Sequence, residues 1–426
     1  MVRLIEALNY RCLRYIQQPL KDVQVLIGPN ASGKTAFLDV ISFLGDLVEH
    51  GLMEAITSRA ASIEDLFFRG EGDRFELAVE LEIPEERREM LENSAADAYR
   101  YVRYEIAIGV DPASNEYQIL DEQVLLQTQS NCGQTGPQRT LFPDPQMPPK
   151  TIVHTSKARS GLKRVLRKVR EGNDNFYPEV SKQKGKGGWM PSIRLGPRKS
   201  ALANMPDDEQ KFPVMTWLRN VLVSGAQRLM LNSLALRQSS RPGQGQHFRP
   251  DGGNLPWVIQ RLRDSDMVRY RTWIEHIQTA LPDIEDITTV ELPDTRHRFL
   301  QILYQGGLKV PSWTASDGTL RLLALTLPAY LPDFEGVYLI EEPENGIHPR
   351  AMETVYQALR SVYGAQILLA THSPVILGCA ETEDVLCFSK DAAGATDIVD
   401  GPSHPALHHW RESMSLTDMY ASGVLG

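Results

Sequence analysis

VQVLIGPNASGKT, residues 23–35, is the stretch that decides the fold. Its first half, Val23 to Ile27, is a short apolar run of buried-strand type, and the TAFLDVISFLGDLV after the glycines repeats its apolar residues at helical spacing. Strand, glycine loop and helix therefore follow in that order. Between them Gly28, Pro29, Asn30, Ala31, Ser32, Gly33, Lys34 and Thr35 fit the pattern GxxxxGK[ST]. The glycines allow backbone N–H groups to turn toward phosphate oxygens, Lys34 reaches the outer phosphates, and the Thr35 hydroxyl suits Mg²⁺. The segment predicts a nucleoside triphosphate site that takes Mg²⁺.

Such a loop needs an acidic partner, and GVYLIEEPENGIHP supplies one. Val337 to Ile340 read as a buried parallel strand, with Glu341 and Glu342 at its C-terminal end, where open α/β sheets place their ligands. Glu341 is suited to the metal, alongside Thr35, and Glu342 to orienting or deprotonating an attacking water. Two further segments add detail. In WTASDGTLRLLAL, Ser316, Asp317, Gly318 and Thr319 precede an apolar helix whose N-terminus favours an anion. In QILLATHSPVIL, a strand runs into Thr371, His372, Ser373 and Pro374, which puts a histidine 30 residues beyond Glu342.

The order GPNASGKT, SDGT, IEEPENGIHP, THSP resembles the soluble branch of the ABC-type ATPases, the RecF, SMC and Rad50 heads and the ATPase part of OLD proteins. More narrowly, it is similar to bacterial AAA family ATPases with an AAA_21-type domain. The LNYRCLRYI start, IEDLFFRG and DGGNL carry the same likeness. The resemblance implies an α/β P-loop fold of ABC/SMC-head type, with a β-rich N-terminal lobe and an inserted helical and basic region. It implies a head-to-tail homodimer in which Ser316 to Thr319 face the nucleotide bound by the other copy's loop. It also implies Glu342 as general base, His372 as the switch histidine at the γ-phosphate, and Glu344 to Gly346 as a loop communicating across the dimer. Arg11 or Arg14 matches a phosphate-contacting arginine. Glu341 stands where most of these ATPases have Asp, and Asp317 where the signature has Gly. No TOPRIM-type nuclease is expected after His372.

Composition sets the frame. The 426 residues, 42% hydrophobic and 23% charged, suit two or three globular domains. No apolar run approaches about 18 residues and the N-terminus lacks a signal-peptide core, so a cytoplasmic protein with no membrane partner is expected. Cys12, Cys132, Cys379 and Cys387 are scattered and read as free thiols. His404, His408 and His409 lie in a tail that reads as a terminal helix.

Charge is segregated. Residues 151–200 carry +10, so the remainder carries −19 within the total of −9. There Leu162, Val165, Leu166 and Val169 have helical spacing, with Lys163, Arg164, Arg167, Lys168 and Arg170 around them. Residues 157–199 are thus a candidate nucleic-acid surface, the alternative being a solvated face or an internal partner for the acidic remainder. The expected division is 1–127 for the first half of the ATPase head, 128–211 for the basic insertion, 212–282 for a helical subdomain and 283–426 for the second half.

Three functions fit. The first is an ATP-driven dimerising switch acting with nucleic acid or a nucleic-acid enzyme such as a nuclease, in phage defence or DNA repair. The second is a regulatory ATPase that controls a separate toxin or nuclease without binding DNA. The third, a transporter ATPase subunit, is disfavoured by the length of the chain and by the soluble-branch motifs.

Overall fold

Val23–Ile27, Ala365–Ala370 and Gly336–Glu341 lie side by side as parallel strands, with Leu26 opposite Ala370 and Ala370 opposite Glu341. The computed structural model describes residues 1–91, 99–111, 116–131, 147–154, 161–169, 171–180, 192–245, 247–332 and 334–404. The chain divides into two compact units. The first comprises Met1–Lys21, Gly28–Ala226 and, among the described residues, 387–404; the second comprises Asp22–Ile27 and Gln227–Leu386.

In the second unit the three parallel strands are joined by Ala226–Leu229, next to Gly336–Glu341. All of Gly336–Ile340 and all of Ala365–Ala370 are buried, as expected for strands covered on both faces. Pro349–Arg360 packs a face of Ala351, Met352, Val355, Ala358 and Leu359 inward and begins with Pro at its first turn, where a missing N–H costs nothing. Beside it Trp273 is fully buried and donates its indole N–H to Thr326 Oγ1 at 3.0 Å.

The first unit is built on an eight-stranded antiparallel sheet in the order Leu13–Pro19, Val2–Tyr10, Arg74–Glu82, Tyr101–Val110, Tyr117–Gln127, Leu162–Arg167, Asp174–Phe176, Ser192–Ile193. RFELAVELE alternates, so Phe75, Leu77, Val79 and Leu81 share one face and Glu76 and Glu80 the other. The apolar face meets the helix Lys34–Glu49 through Tyr10, Phe43 and Phe75, with ring centroids of Phe43 and Phe75 at 5.5 Å. The polar face is buried as well, under Thr151–His154. Ile152 N–H donates to Glu76 at 2.7 Å and His154 N–H to Glu105 at 2.8 Å. Carboxylates here take the backbone donors that a further strand would otherwise satisfy.

Two expectations are corrected. GLKRVLRKVREG is not a helix: Leu162–Arg167 is a strand paired antiparallel with Tyr117–Gln127. Leu166 faces Val124 and Arg164 faces Leu125, so Val165 is the extra residue of a bulge. The bulge lets Val165 and Leu166 both turn inward, and these adjacent apolar residues imitate a helical stripe. The basic segment therefore extends the sheet over its described part. The helical stretch expected at the start of 212–282 is also broken, into Pro213–Asn220, a π-turn at Val221–Gly225, the strand Ala226–Leu229 and a short helix Ser233–Arg237. Further along, Leu255–Ser265 and Met267–Ala280 are helices. Cys12, Cys379 and Cys387 are free thiols, whereas Cys132 lies outside the described residues, as do His408, His409 and most of the expected terminal helix. Among the described residues no helix is long and apolar enough to cross a membrane.

Candidate functional site

In the first unit the loop Gly28–Thr35 is shaped by steric necessity. Gly28 has φ 144°, and a Cβ there would sit 2.1 Å from the Phe388 carbonyl oxygen. Phe388 belongs to Val385–Lys390, and its ring packs edge-on against Phe37 of the helix that follows the loop. From the adjoining strand Thr396–Asp400, Thr396 Oγ1 donates to the Ser32 carbonyl at 2.9 Å. This hairpin cradles the glycine loop, and nothing in the local sequence around residues 388–396 announces that task. Gly28→Ala is expected to lower stability by about 1–3 kcal/mol and to weaken nucleotide binding, as read by thermal melting and fluorescent-nucleotide titration. An unchanged variant would show that the close approach is unnecessary.

Lys34 is buried and its amine folds over the loop, donating to the carbonyls of Gly28 at 2.7 Å and Pro29 at 3.1 Å. Ala31 takes φ 63°, a left-handed turn within the loop. The Ser32 hydroxyl is buried with no hydrogen-bond partner among the described residues, while Thr35 is exposed on the first turn of Lys34–Glu49. Lysine ammonium, an unsatisfied hydroxyl and a helix N-terminus together suit a phosphate chain. Arg11, at φ 53°, lies 3.5 Å from Asp39, whose carboxylate also takes the Tyr10 hydroxyl at 2.6 Å and Arg59 at 2.8 Å. Arg14 is exposed.

In the second unit the parallel register sets the acidic residues. Leu26, Ala370 and Glu341 lie level across the three strands, and Ile27, one residue further on, is followed by Gly28. Glu341 is half-buried and its Oε1 accepts from Arg228 Nη2 at 2.6 Å. Glu342 turns the chain at φ 47°, tied by its N–H to the Ala370 carbonyl at 2.8 Å. Its exposed carboxylate takes the Asn345 amide at 2.7 Å. A non-glycine residue at positive φ directly after a strand is a costly conformation, common where a side chain must be aimed.

Glu344 has a clear positional task. It accepts the Thr371 hydroxyl at 2.9 Å and the His372 N–H at 2.6 Å, and so fixes the THS turn beside the strand end of Glu341. Ser373 then caps Pro374–Cys379 through the Ile376 N–H. His372 itself is half-buried at that turn.

The segment Ser316 to Thr319 opens the helix Asp317–Thr326. Ser316 caps it by accepting the Thr319 N–H at 3.1 Å, and the two hydroxyls lie 2.7 Å apart. Asp317 is tied within its own unit, accepting from Ser233 Oγ at 2.7 Å and Arg321 Nε at 3.2 Å, with Arg237 3.6 Å away. The Ser233 hydrogen bond, helped by Arg321 and Arg237, lowers the Asp317 carboxyl below its ordinary range. A Cβ on Gly318 would lie 2.7 Å from the Gly346 carbonyl, so the SDGT turn and the ENG turn touch backbone to backbone. Among the described residues no group of three or more His, Cys, Asp and Glu has the form of a metal cluster.

A glycine loop between a buried parallel strand and a helix, with carboxylates at the end of a strand two places along the same sheet, defines a P-loop nucleotide-binding protein of α/β class. The chain belongs to the AAA_21 family, described as "AAA domain, putative AbiEii toxin, Type IV TA system", whose profile matches residues 23–131 and 165–378. The match therefore takes in the second half of the Leu162–Arg167 strand, from Val165. Its fold is that of SMC heads. A crystal structure of an SMC head bound to the C-terminal winged-helix domain of ScpA matches with TM-score 0.53 and 13% identity, over 93% of this chain and 97% of that one. An SMC head with an extended coiled coil, bound to the ScpA C-terminal domain from Pyrococcus furiosus, matches with TM-score 0.50 and 12% identity, over 96% and 99%. At such identities the likeness is one of fold.

Proposed function

We propose that the protein binds and slowly hydrolyses ATP with Mg²⁺, and that ATP closes two copies head to tail into a switch that governs a separate effector. The observation that carries this reading is the parallel register of Val23–Ile27, Ala365–Ala370 and Gly336–Glu341, with Leu26, Ala370 and Glu341 level, which starts the phosphate loop from the same sheet end as Glu341 and Glu342. Gly28 to Thr35 hold the phosphates. Thr35 and Glu341, a hydroxyl and a carboxylate, are the oxygen donors for Mg²⁺, which neutralises charge on the phosphates when bound. Glu342 accepts the proton of the attacking water, and Asn345 keeps its carboxylate oriented. His372 stands by for the γ-phosphate, held through its backbone by Glu344. Ser316, Gly318 and Thr319 of the second copy complete the phosphate contacts, while Asp317 serves as a brace for the turn rather than a ligand. Phosphate release and light scattering with and without MgATP test the proposal; a protein that stays monomeric and inert with MgATP would refute it.

Two observations favour an effector protein, such as a toxin or nuclease, over direct DNA binding. The family description names a toxin system. Three basic residues in the described part of 157–199 are also engaged at home. Lys163 donates to the Glu179 carbonyl, Arg164 to Gln123, and buried Lys168 pairs with Asp174 at 3.1 Å. Combined Lys163→Ala, Arg164→Ala and Lys168→Ala substitution is expected to lower the unfolding midpoint without changing affinity for DNA. Salt-dependent DNA binding that disappears in this variant at unchanged stability would restore direct nucleic-acid binding.

A further inference from the structure

Arg228 has no part in the reading above, yet it makes a close contact to one of its residues. It lies on Ala226–Leu229, the strand next to Gly336–Glu341, and its Nη2 reaches Glu341 Oε1 at 2.6 Å. The side chains retain 34% and 22% of their exposure, so the pair is only partly screened by water. Both partners hang from adjacent strands rather than from loops, and the sheet fixes their separation. A charge-assisted contact of this length competes with any other cation for the same carboxylate.

The residue type at 341 bears on this competition. Glutamate has one methylene more than aspartate, which gives its carboxylate reach to turn between two positive partners while the backbone stays in the sheet. We propose that Arg228 is a built-in competitor for the divalent cation at Glu341, and that it sets the Mg²⁺ concentration at which nucleotide is retained. At low Mg²⁺ the guanidinium holds the carboxylate and keeps it from repelling the phosphates. With a divalent cation bound alongside nucleotide, Glu341 would turn from Arg228 to hold it, a hydroxyl-and-carboxylate site together with Thr35. The inference rests on Glu341 being the metal carboxylate of the proposed ATP site.

The test is a Mg²⁺ titration of trinitrophenyl-ATP fluorescence at fixed nucleotide concentration, on the full chain, with thermal melting measured in parallel. Arg228→Gln is expected to move the Mg²⁺ midpoint down roughly two- to fivefold, the range available to a half-exposed ion pair. Arg228→Lys, which keeps the charge, should remain near the wild-type midpoint. In a Glu341→Gln background the Arg228→Gln shift should vanish, since the shared partner is gone. A purely structural pair would change the melting temperature and leave the midpoint in place. An unchanged or raised midpoint in folded Arg228→Gln overturns the inference while leaving the ATP reading intact. If Arg228→Gln does not fold, Arg228→Met is compared in its place against the same expectation. Wild-type protein that retains no nucleotide at any Mg²⁺ concentration overturns the ATP reading itself, and this inference with it.

Discussion

Glu342→Gln is expected to lower ATP turnover by about 10²–10⁴-fold while leaving ATP binding close to wild type, the usual effect of removing a positioned base. The substitution is nearly isosteric, and the left-handed backbone at φ 47° is strained by Gln and Glu alike. The hydrogen bond from Asn345 Nδ2 to Oε2 can be kept by the Gln carbonyl oxygen. What is lost is the ability to accept a proton. If hydrolysis reopens the ATP-closed dimer, the variant should therefore accumulate as dimer with ATP and Mg²⁺, which size-exclusion chromatography with light scattering reads directly. Lys34→Ala should behave in the opposite way, losing nucleotide binding and never forming the dimer. Its amine is buried in the loop and bridges the Gly28 and Pro29 carbonyls, so the variant also loses two loop contacts, and melting curves are needed to separate folding from binding. Normal turnover by Glu342→Gln would remove Glu342 from the chemistry and pass the base role to another group.

Most of what the ATP reading requires is written in local sequence. GPNASGKT needs no long-range information, because strand, glycines and helix follow one another within one continuous stretch. The strand ending at Glu341 and the Ser316 cap are likewise set by residues within a few positions of one another, whereas the THS turn after Ala370 is held by Glu344, 27 and 28 positions away. The strand at Leu162–Arg167 was not legible in the same way. A bulge at Val165 puts two neighbouring apolar residues inward, and without its partner strand that pattern has helical spacing. Gly225, which ends the π-turn, separates helix from strand inside an apolar run that periodicity alone joins. Thr396 and Phe388 reach the phosphate loop from more than 350 positions away, and Arg228 reaches Glu341 across 113. Such contacts follow from strand order and register, which no window of sequence contains.

Arg103→Met is expected to destabilise the first unit by about 3–5 kcal/mol, the cost of removing one partner from a buried charge group. Arg103 is buried on the polar face of the sheet, its Nε 2.5 Å from Glu105 and its Nη2 2.5 Å from Glu6. Glu105 also takes Gln123 Nε2 at 2.6 Å and contacts the His154 ring. Methionine fills much of the arginine volume, so cavity formation contributes little and the loss is chiefly electrostatic. Burial raises the Glu105 carboxyl, but the His154 hydrogen bond and the Arg103 charge outweigh it and hold it down at about 2. A carboxyl held below its ordinary value near 4.3 contributes stability that is fully present above that value and is lost as pH falls toward about 2. Without Arg103 the carboxyl rises and takes up its proton at a higher pH. The stability gap between wild type and variant, measured by urea denaturation, should therefore be largest near neutral pH and narrow below about pH 4. Adding Glu6→Gln and Glu105→Gln to Arg103→Met should recover part of the loss, because a neutral group of similar shape leaves no buried charge unpaired. A gap that does not change with pH would mean that packing, rather than charge, is what Arg103 supplies.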